Sequence, residues 1–236
     1  MTVVAPARRG TSVPPPSRVF ATLRMVGELA VTAGLVLLLF AAYEFWGRPA
    51  QVDARQHELD RQLDRAWAAP PTGVATPSAS AAPTVPFKEL GTRLWLPKLK
   101  KHWVVAEGVA PADIRWAPGH YPASALPGQV GNFAVAGHRT RALFWDLDKL
   151  GAGDLVGVQT RDTWYVYQVR TVEIVSPSAT EVVAPVPGDP EATPTRKMLT
   201  LTTCNPRYHN NQRLIVHAEL TSEQPRSSGA PAGIGA

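Results

Sequence analysis

Lys197-Met198-Leu199-Thr200-Leu201-Thr202-Thr203-Cys204-Asn205-Pro206 contains the single cysteine of this 236-residue chain. Side chains alternate along it. Leu199, Leu201 and Thr203 fall on one side, and Met198, Thr200, Thr202 and Cys204 on the other. That period of two is the mark of a half-buried strand. Asn205-Pro206 ends it, because proline cannot donate to a ladder and Asn-Pro starts turns. Cys204 is therefore expected at the last residue of a strand, on a sheet rim where a thiol is open to substrate. After the loop 205–212, Arg213-Leu214-Ile215-Val216-His217-Ala218-Glu219-Leu220 reads as the next strand. If the two pair as a hairpin, the guanidinium of Arg213 lies beside the thiol.

The chain before this pair, from Phe87 onward, reads as short strands separated by turns. Arg93–Leu96 ends at Pro97, and His102–Val105 follows. Asn132–Gly137 is apolar, with Gly128 and Gly131 marking the turn before it. Gly151–Asp154 turns into Leu155–Thr160, and Arg161-Asp162 turns into the alternating run Thr163–Val175. Pro111–Trp116 and Phe144–Leu150 suit short helices, and Ser176–Arg196 is a long Pro/Gly-rich connection. Seven or eight strands with few helices predict an all-β sandwich or barrel. Phe87–Thr221 is long enough to bury one core. The small-residue tail 222–236 carries no structural pattern.

The N-terminal third has a different composition. Residues 1–25 are polar and hold Arg8, Arg9, Arg18 and Arg24 with no acid. They read as a disordered cytoplasmic segment, since positive charge is retained inside. Val26–Trp46 is nearly all apolar, interrupted by Glu28 and Glu44 near its ends. About 20 residues at about 1.5 Å each cross a hydrocarbon core of about 30 Å. A poor small-residue cleavage site argues for a retained membrane anchor over a signal peptide. In 47–86, Leu59, Leu63 and Trp67 share one helical face, expected of a solvated stalk helix. The run 70–86 is rich in Pro, Ala, Ser and Thr and cannot bury a core. Extended at about 3.1 Å per residue, it reaches on the order of 50 Å and would act as a tether.

A net charge of +5 without a basic stripe reads as solvated charge and argues against nucleic-acid binding. One cysteine excludes an intrachain disulfide and a multi-cysteine zinc site. No acidic cluster has a calcium-loop pattern, so no metal is expected and no cofactor is called for. A lone thiol is either inert core or a nucleophile, and as a nucleophile it needs a lowered pKa or a paired base. Spacing does not choose that base among His57, His102, His120, His138, His209 and His217. His57 lies in the stalk and His217 in mid-strand. His138 ends an apolar strand on a rim, as Cys204 does.

Thr200-Leu201-Thr202-Thr203-Cys204 followed by Arg213 resembles the T-L-x-T-C strand and downstream arginine of the sortases, cysteine transpeptidases of bacterial cell surfaces. The strand Asn132–Arg139, ending Ala136-Gly137-His138-Arg139, is similar to their histidine strand. With Gly119-His120-Tyr121-Pro122, the set looks most like class E sortases of high-GC Gram-positive bacteria. The likeness covers about 87–221.

It implies a closed sortase β-barrel with Cys204 as nucleophile, His138 as acid and base, and Arg213 steadying substrate or oxyanion. Tyr121, Thr203 and His120 are implied at the substrate groove, with His120 the alternative to His138. It further implies cleavage of a C-terminal L-A-x-T-G or L-P-x-T-G signal between Thr and Gly. The acyl group would pass to the amine of a lipid-linked peptidoglycan precursor, outside the cell membrane. Two other cysteine enzymes fit less well. L,D-transpeptidases carry S-H-G-C, whereas Cys204 follows Thr203. Papain-like proteases place their cysteine before their histidine. A wall-binding β domain with a buried thiol is the non-enzyme alternative.

Overall fold

The computed structural model describes residues 18–69 and 89–234. The expectations for residues 1–17 and for the Pro-rich run 70–86 lie outside them. The chain divides into two compact units, Met1–Arg48 and Pro49–Ala236.

In the first unit, helix α1 spans Arg18–Ala42, and a π-helical turn, Tyr43–Gly47, follows it. The helix begins before Val26 because Val19, Phe20, Leu23 and Met25 carry the apolar run upstream. Most of its residues are apolar, and the described side chains are exposed apart from that of Ala42. At about 1.5 Å per residue its 25 residues exceed a bilayer core of about 30 Å. It is long and apolar enough to cross a membrane. Each acid near the ends of the apolar run is paired one turn away, Glu28 with Arg24 at 2.8 Å and Glu44 with Arg48 at 3.1 Å.

The second unit is a closed barrel. Among the described residues it has eight strands: β1 Glu89–Leu96, β2 Lys101–Glu107, β3 Gly119–His120, β4 Gly131–Ala136, β5 Leu155–Gln159, β6 Thr163–Val175, β7 Lys197–Asn205 and β8 Gln212–Pro225. Their order is β1-β2-β3-β4-β7-β8-β6-β5, and β5 pairs back to β1. β2–β3 and β4–β7 are parallel, and the other pairs are antiparallel. The all-β barrel expected from alternation and resemblance is what forms. β3 has only two residues, too short for a period-two signal. The expected helices at 111–116 and 144–150 are single 3-10 turns, Asp113–Arg115 and Leu147–Lys149.

Alternation decides what fills the barrel. Leu199 and Leu201 of β7, Leu214 and Val216 of β8, and Phe133 and Val135 of β4 join one interior cluster with Trp103, Val105, Phe144 and Tyr167. The residues between them face outward. On β2 those outward residues are Val104 and Ala106, and both are buried.

Helix α2, Arg48–Ala68, is what covers them. The stripe expected to be a solvated stalk is not solvated. Leu59, Leu63 and Trp67 pack with Val104, Ala106 and Ala117. Gln56 accepts the Val104 N–H and donates to the Trp116 carbonyl, both at 2.8 Å. Asp60 receives Arg93 Nε at 2.6 Å and bonds His102 at 3.0 Å. Arg93 also reaches Asp64 at 2.8 Å and stacks over the Trp67 ring. The amphipathic face needed an apolar partner, and the outer face of β2 supplies it. The Pro-rich run therefore joins two elements of one body, α2 and β1.

The tail also departs from expectation. β8 stays paired with β6 as far as Thr163↔Pro225. A 3-10 turn, Arg226–Ser228, follows, with the Arg226 N–H on the Asp162 carbonyl at 2.8 Å. Ile234 is 1% exposed and packs with Trp164 and Val166. A Cβ at Gly157 would come within 2.6 Å of Ile234 Cγ2, so glycine makes the room. One apolar residue among small ones gives no periodic signal.

Candidate active site

The parallel pairing of β4 with β7 positions the site. Parallel neighbours end on the same rim, so the strand that carries Cys204 next to its last residue and the strand leading to His138 finish together. β8 runs antiparallel to β7 and starts at that rim. Arg213 is the register partner of Cys204, and such facing residues lie about 4.5–5.5 Å apart at Cα. On the other side of β7, Ala136 faces Thr202. The Gly137 N–H on the Thr202 carbonyl at 3.0 Å and Thr203 Oγ1 on the Gly137 carbonyl at 2.8 Å continue the register. His138 is carried alongside Cys204. Register partners share a face, so Cys204 and Arg213 belong to the outer face of the barrel rather than its interior.

Local packing turns the chain at His138. Gly137 lies so close to Phe144 that a Cβ would meet its ring at 2.7 Å. The Phe144 N–H then bonds the His138 carbonyl at 3.1 Å. Burial holds the His138 imidazole below its ordinary pKa, because a charged ring loses hydration there. Among the described residues, neither ring nitrogen of His138 has a hydrogen-bond partner, which leaves both for a ligand. Arg213 gives Nη1 to the carbonyls of Asn210 and Gln212 at 2.8 and 2.9 Å. Its Nε and Nη2 have no partner among the described residues. Cys204 is half-buried, and its strand neighbours Thr203 and Asn205 are buried on the opposite face.

The residues expected at the groove are placed unequally. Tyr121 lies against the outer face, its hydroxyl 3.4 Å from Thr202 Oγ1 and its N–H on the Ala134 carbonyl at 3.0 Å. It stands beside the strand that carries Cys204, two residues upstream of it. Thr203 alternates inward, 3% exposed, and its hydroxyl donates to the Gly137 carbonyl, coupling β7 to the segment that leads into His138.

His120 is 1% exposed and is not beside Cys204 in the register. Its Nδ1 bonds Glu107 at 2.9 Å, its Nε2 faces Ser124 Oγ at 2.9 Å and the Ala125 carbonyl at 3.2 Å, and its ring stacks on Phe133. Glu107, His120 and Ser124 resemble a hydrolytic triad in outline. Ser124 Oγ, however, donates to the Tyr121 carbonyl at 2.8 Å and accepts the Ala134 N–H at 3.2 Å. The group pins the turn that presents Tyr121.

The remaining histidines stand elsewhere. His217 shares a hydrogen bond with Thr200 Oγ1 at 2.9 Å and another with Glu173 at 3.1 Å. Burial lowers its pKa, with Glu173 opposing. Thr200 in turn donates to Asn132 Oδ1 at 2.8 Å, and Asn132 Nδ2 holds the Ala184 carbonyl of the β6–β7 connection at 3.0 Å. His102 is engaged by Asp60 under α2. His57 and His209 are exposed. Among the described residues, no group of three or more His, Cys, Asp or Glu is placed to hold a metal ion. Sequence reasoning gave no part to Arg139, whose guanidinium reaches the Cys204 carbonyl at 3.4 Å. The one available signal was its adjacency to His138.

A family model described as the sortase domain matches residues 94–221. The chain is 32% identical over 235 residues to sortase SrtE1 of Streptomyces coelicolor, covering 95% of this chain and 64% of that protein. It thus spans slightly less than two thirds of that relative's length. Among solved structures, the SrtA sortase of Actinomyces oris superposes with a TM-score of 0.61 at 37% identity, covering 65% of this chain and 92% of that one. A crystal structure of S. coelicolor sortase E1 with a tripeptide in its active site gives a TM-score of 0.58 at 34% identity, covering 63% and 97%.

Proposed function

This chain belongs to the sortase family, and from that membership we propose that it is a membrane-anchored cysteine transpeptidase with Cys204, His138 and Arg213 as its catalytic residues. The observation that carries this reading is the meeting of β4, β7 and β8 at one rim, with Cys204↔Arg213 in register and His138 alongside. The substrate is a surface protein ending in an L-A-x-T-G or L-P-x-T-G signal, bound across the outer face between Tyr121 and the start of β8.

The Cys204 thiolate adds to the threonine carbonyl, forming a C–S bond and moving the carbonyl electron pair onto oxygen. The free donors of Arg213 stabilise that oxyanion with a permanent charge and a forked geometry. Collapse breaks the Thr–Gly C–N bond. His138 delivers its proton to the departing glycine amine, and the lowered pKa makes its imidazolium a readier donor. A thioester to Cys204 remains. Neutral His138 then takes a proton from the incoming amine, a new amide forms, and the C–S bond breaks to return the thiolate. The acceptor is the stem-peptide amine of a lipid-linked peptidoglycan precursor. α1 anchors the chain in the cell membrane, and the arginine-bearing N-terminus stays cytoplasmic by the retention of positive charge. The barrel is then extracytoplasmic, where substrate and acceptor meet.

The test uses the full chain in detergent with quenched L-A-x-T-G and L-P-x-T-G peptides and a diaminopimelate-type amine. Expected are cleavage, an amine-linked product, and a thioester on Cys204 that hydroxylamine releases. Cleavage that persists in Cys204→Ala, or is absent from the unaltered protein, overturns the reading.

A further inference from the structure

Arg139 is a buried cation adjacent to the proposed base, and the reaction as derived makes no use of it. Its side chain is only 4% exposed. One end of its fork, Nη1, donates to Asn205 Oδ1 and makes the longer contact with the Cys204 carbonyl. The other, Nη2, pairs with Asp148 at 3.0 Å. Asn205 passes the connection on, because its Nδ2 donates to Gln212 Oε1 at 2.8 Å. Asn205 and Gln212 are register partners, one residue beyond Cys204 and one before Arg213. Arg213 itself donates to the Gln212 carbonyl. A single hydrogen-bonded belt thus runs from the residue after His138, past the residue after Cys204, to the residue before Arg213.

The belt is braced from the loop side. Asp148 also receives Arg207 Nη2 at 2.9 Å, and Arg207 Nε donates to the Trp145 carbonyl at 3.3 Å. Arg207 belongs to the β7–β8 loop, and Asp148 and Trp145 to the segment after His138. Two cations share one carboxylate, which offsets the charge of a buried guanidinium that would otherwise be costly.

We propose that Arg139 is the positioning residue of this site, holding the strand ends of base, nucleophile and guanidinium in register through Asn205 and Gln212. It does not touch the reacting atoms. The role suits arginine, whose planar fork satisfies two acceptor sets at once where lysine reaches one. A reaction that depends on three groups from three strands is sensitive to such a brace, since displacement by about 1 Å can cost on the order of 100-fold in rate.

The inference rests on the proposed transpeptidase reading, so two readouts are needed. The full chain in detergent is compared with Arg139→Gln, Arg139→Lys, Asn205→Ala and the double variant Arg139→Gln/Asn205→Ala. In the first readout, hydrogen exchange by mass spectrometry reports the belt with no substrate present. Arg139→Gln is expected to speed exchange in 138–144 and 204–213 and leave β5 and β6 unchanged. In the second, peptide cleavage by Arg139→Gln is expected to lose on the order of 100-fold in kcat, with KM within about twofold and Arg139→Lys recovering part. Because the two residues act in one chain, the double variant should lose little more than Arg139→Gln alone. Asn205→Ala keeps the Arg139–Asp148 pair and so provides a folded belt variant should Arg139→Gln unfold.

Unchanged exchange at the rim overturns the proposal. So does a loss confined to KM, a kcat within threefold of the unaltered protein, or additive losses in the double variant. If the unaltered protein cleaves no sorting peptide, the transpeptidase reading fails, and the exchange readout alone judges whether Arg139 holds the three strand ends.

Discussion

Leu59→Ala on helix α2 should destabilise the barrel unit as a core substitution does. Leu59 is fully buried and packs with Leu63, Trp67, Val104, Ala106 and Ala117. Truncating such a leucine costs about 2–5 kcal/mol, from lost transfer energy and the residual cavity. For a unit of this size each kcal/mol moves Tm by roughly 2–4 °C, so the expected shift is about 4–20 °C downward. Asp60→Asn attacks the same contact through charge. It removes a carboxylate that Arg93 and His102 share. Burial tends to raise the Asp60 pKa, but hydrogen bonds from His102 and Arg93 outweigh it and hold the group below its ordinary value. Asp64 remains to pair with Arg93, so the loss belongs at the lower end of the about 3–5 kcal/mol seen when a buried pair is broken. His57→Ala, on the exposed face of the same helix, should change stability by no more than the about 0.5 kcal/mol usual for surface changes. The assay is thermal and urea unfolding of the full chain in detergent, followed by tryptophan fluorescence. A Leu59→Ala protein indistinguishable from His57→Ala would mean that α2 is a solvated stalk after all.

Three further outcomes are expected. Arg213→Lys keeps the charge but loses the fork, and kcat for peptide cleavage should fall on the order of 100-fold or more, as when one oxyanion donor is removed; activity within threefold in a steady-state assay would take Arg213 out of the reaction. His138 and His217 both have folded pKa values lowered by burial. The unfolded chain therefore binds their protons first as pH falls below about 6.5, so stability is full above that pH and declines below it until the folded pKa values are passed. Urea midpoints measured from pH 8 to 5 should fall accordingly, with a shallower decline in His217→Gln, and an unchanged slope in that variant would remove His217 as a contributor. Ile234→Ala should cost about 2–5 kcal/mol, because Ile234 fills the space left by Gly157; a urea midpoint equal to that of the unaltered protein would show the tail to be undocked.

Much of the fold was readable because β7, β6 and β8 carry their own period. Lys197–Cys204 and Thr163–Val175 alternate cleanly, and the strands formed there keep nearly the same limits. Cys204 at a strand end and Arg213 at the next strand start follow from proline chemistry and hairpin pairing, both local. β3 and the tail were not readable, being two residues long in one case and one buried isoleucine in the other. The stripe of α2 was seen, but an amphipathic face does not say what it packs against.

The amino-acid order alone set the apolar helix, the all-β body, the lone thiol on a rim and the arginine across from it, because each depends on neighbours within about ten residues. Folding in three dimensions settled the rest. It brought His138 to the rim of Cys204 by pairing β4 in parallel with β7, two strands about sixty residues apart with no chemical mark of their partnership. It turned Thr203 inward and sank His120, and it linked Arg139 to Asn205 and Gln212. Strand order and register are fixed by which side chains fill a closed barrel together, and that sum over the whole core is not contained in any single stretch.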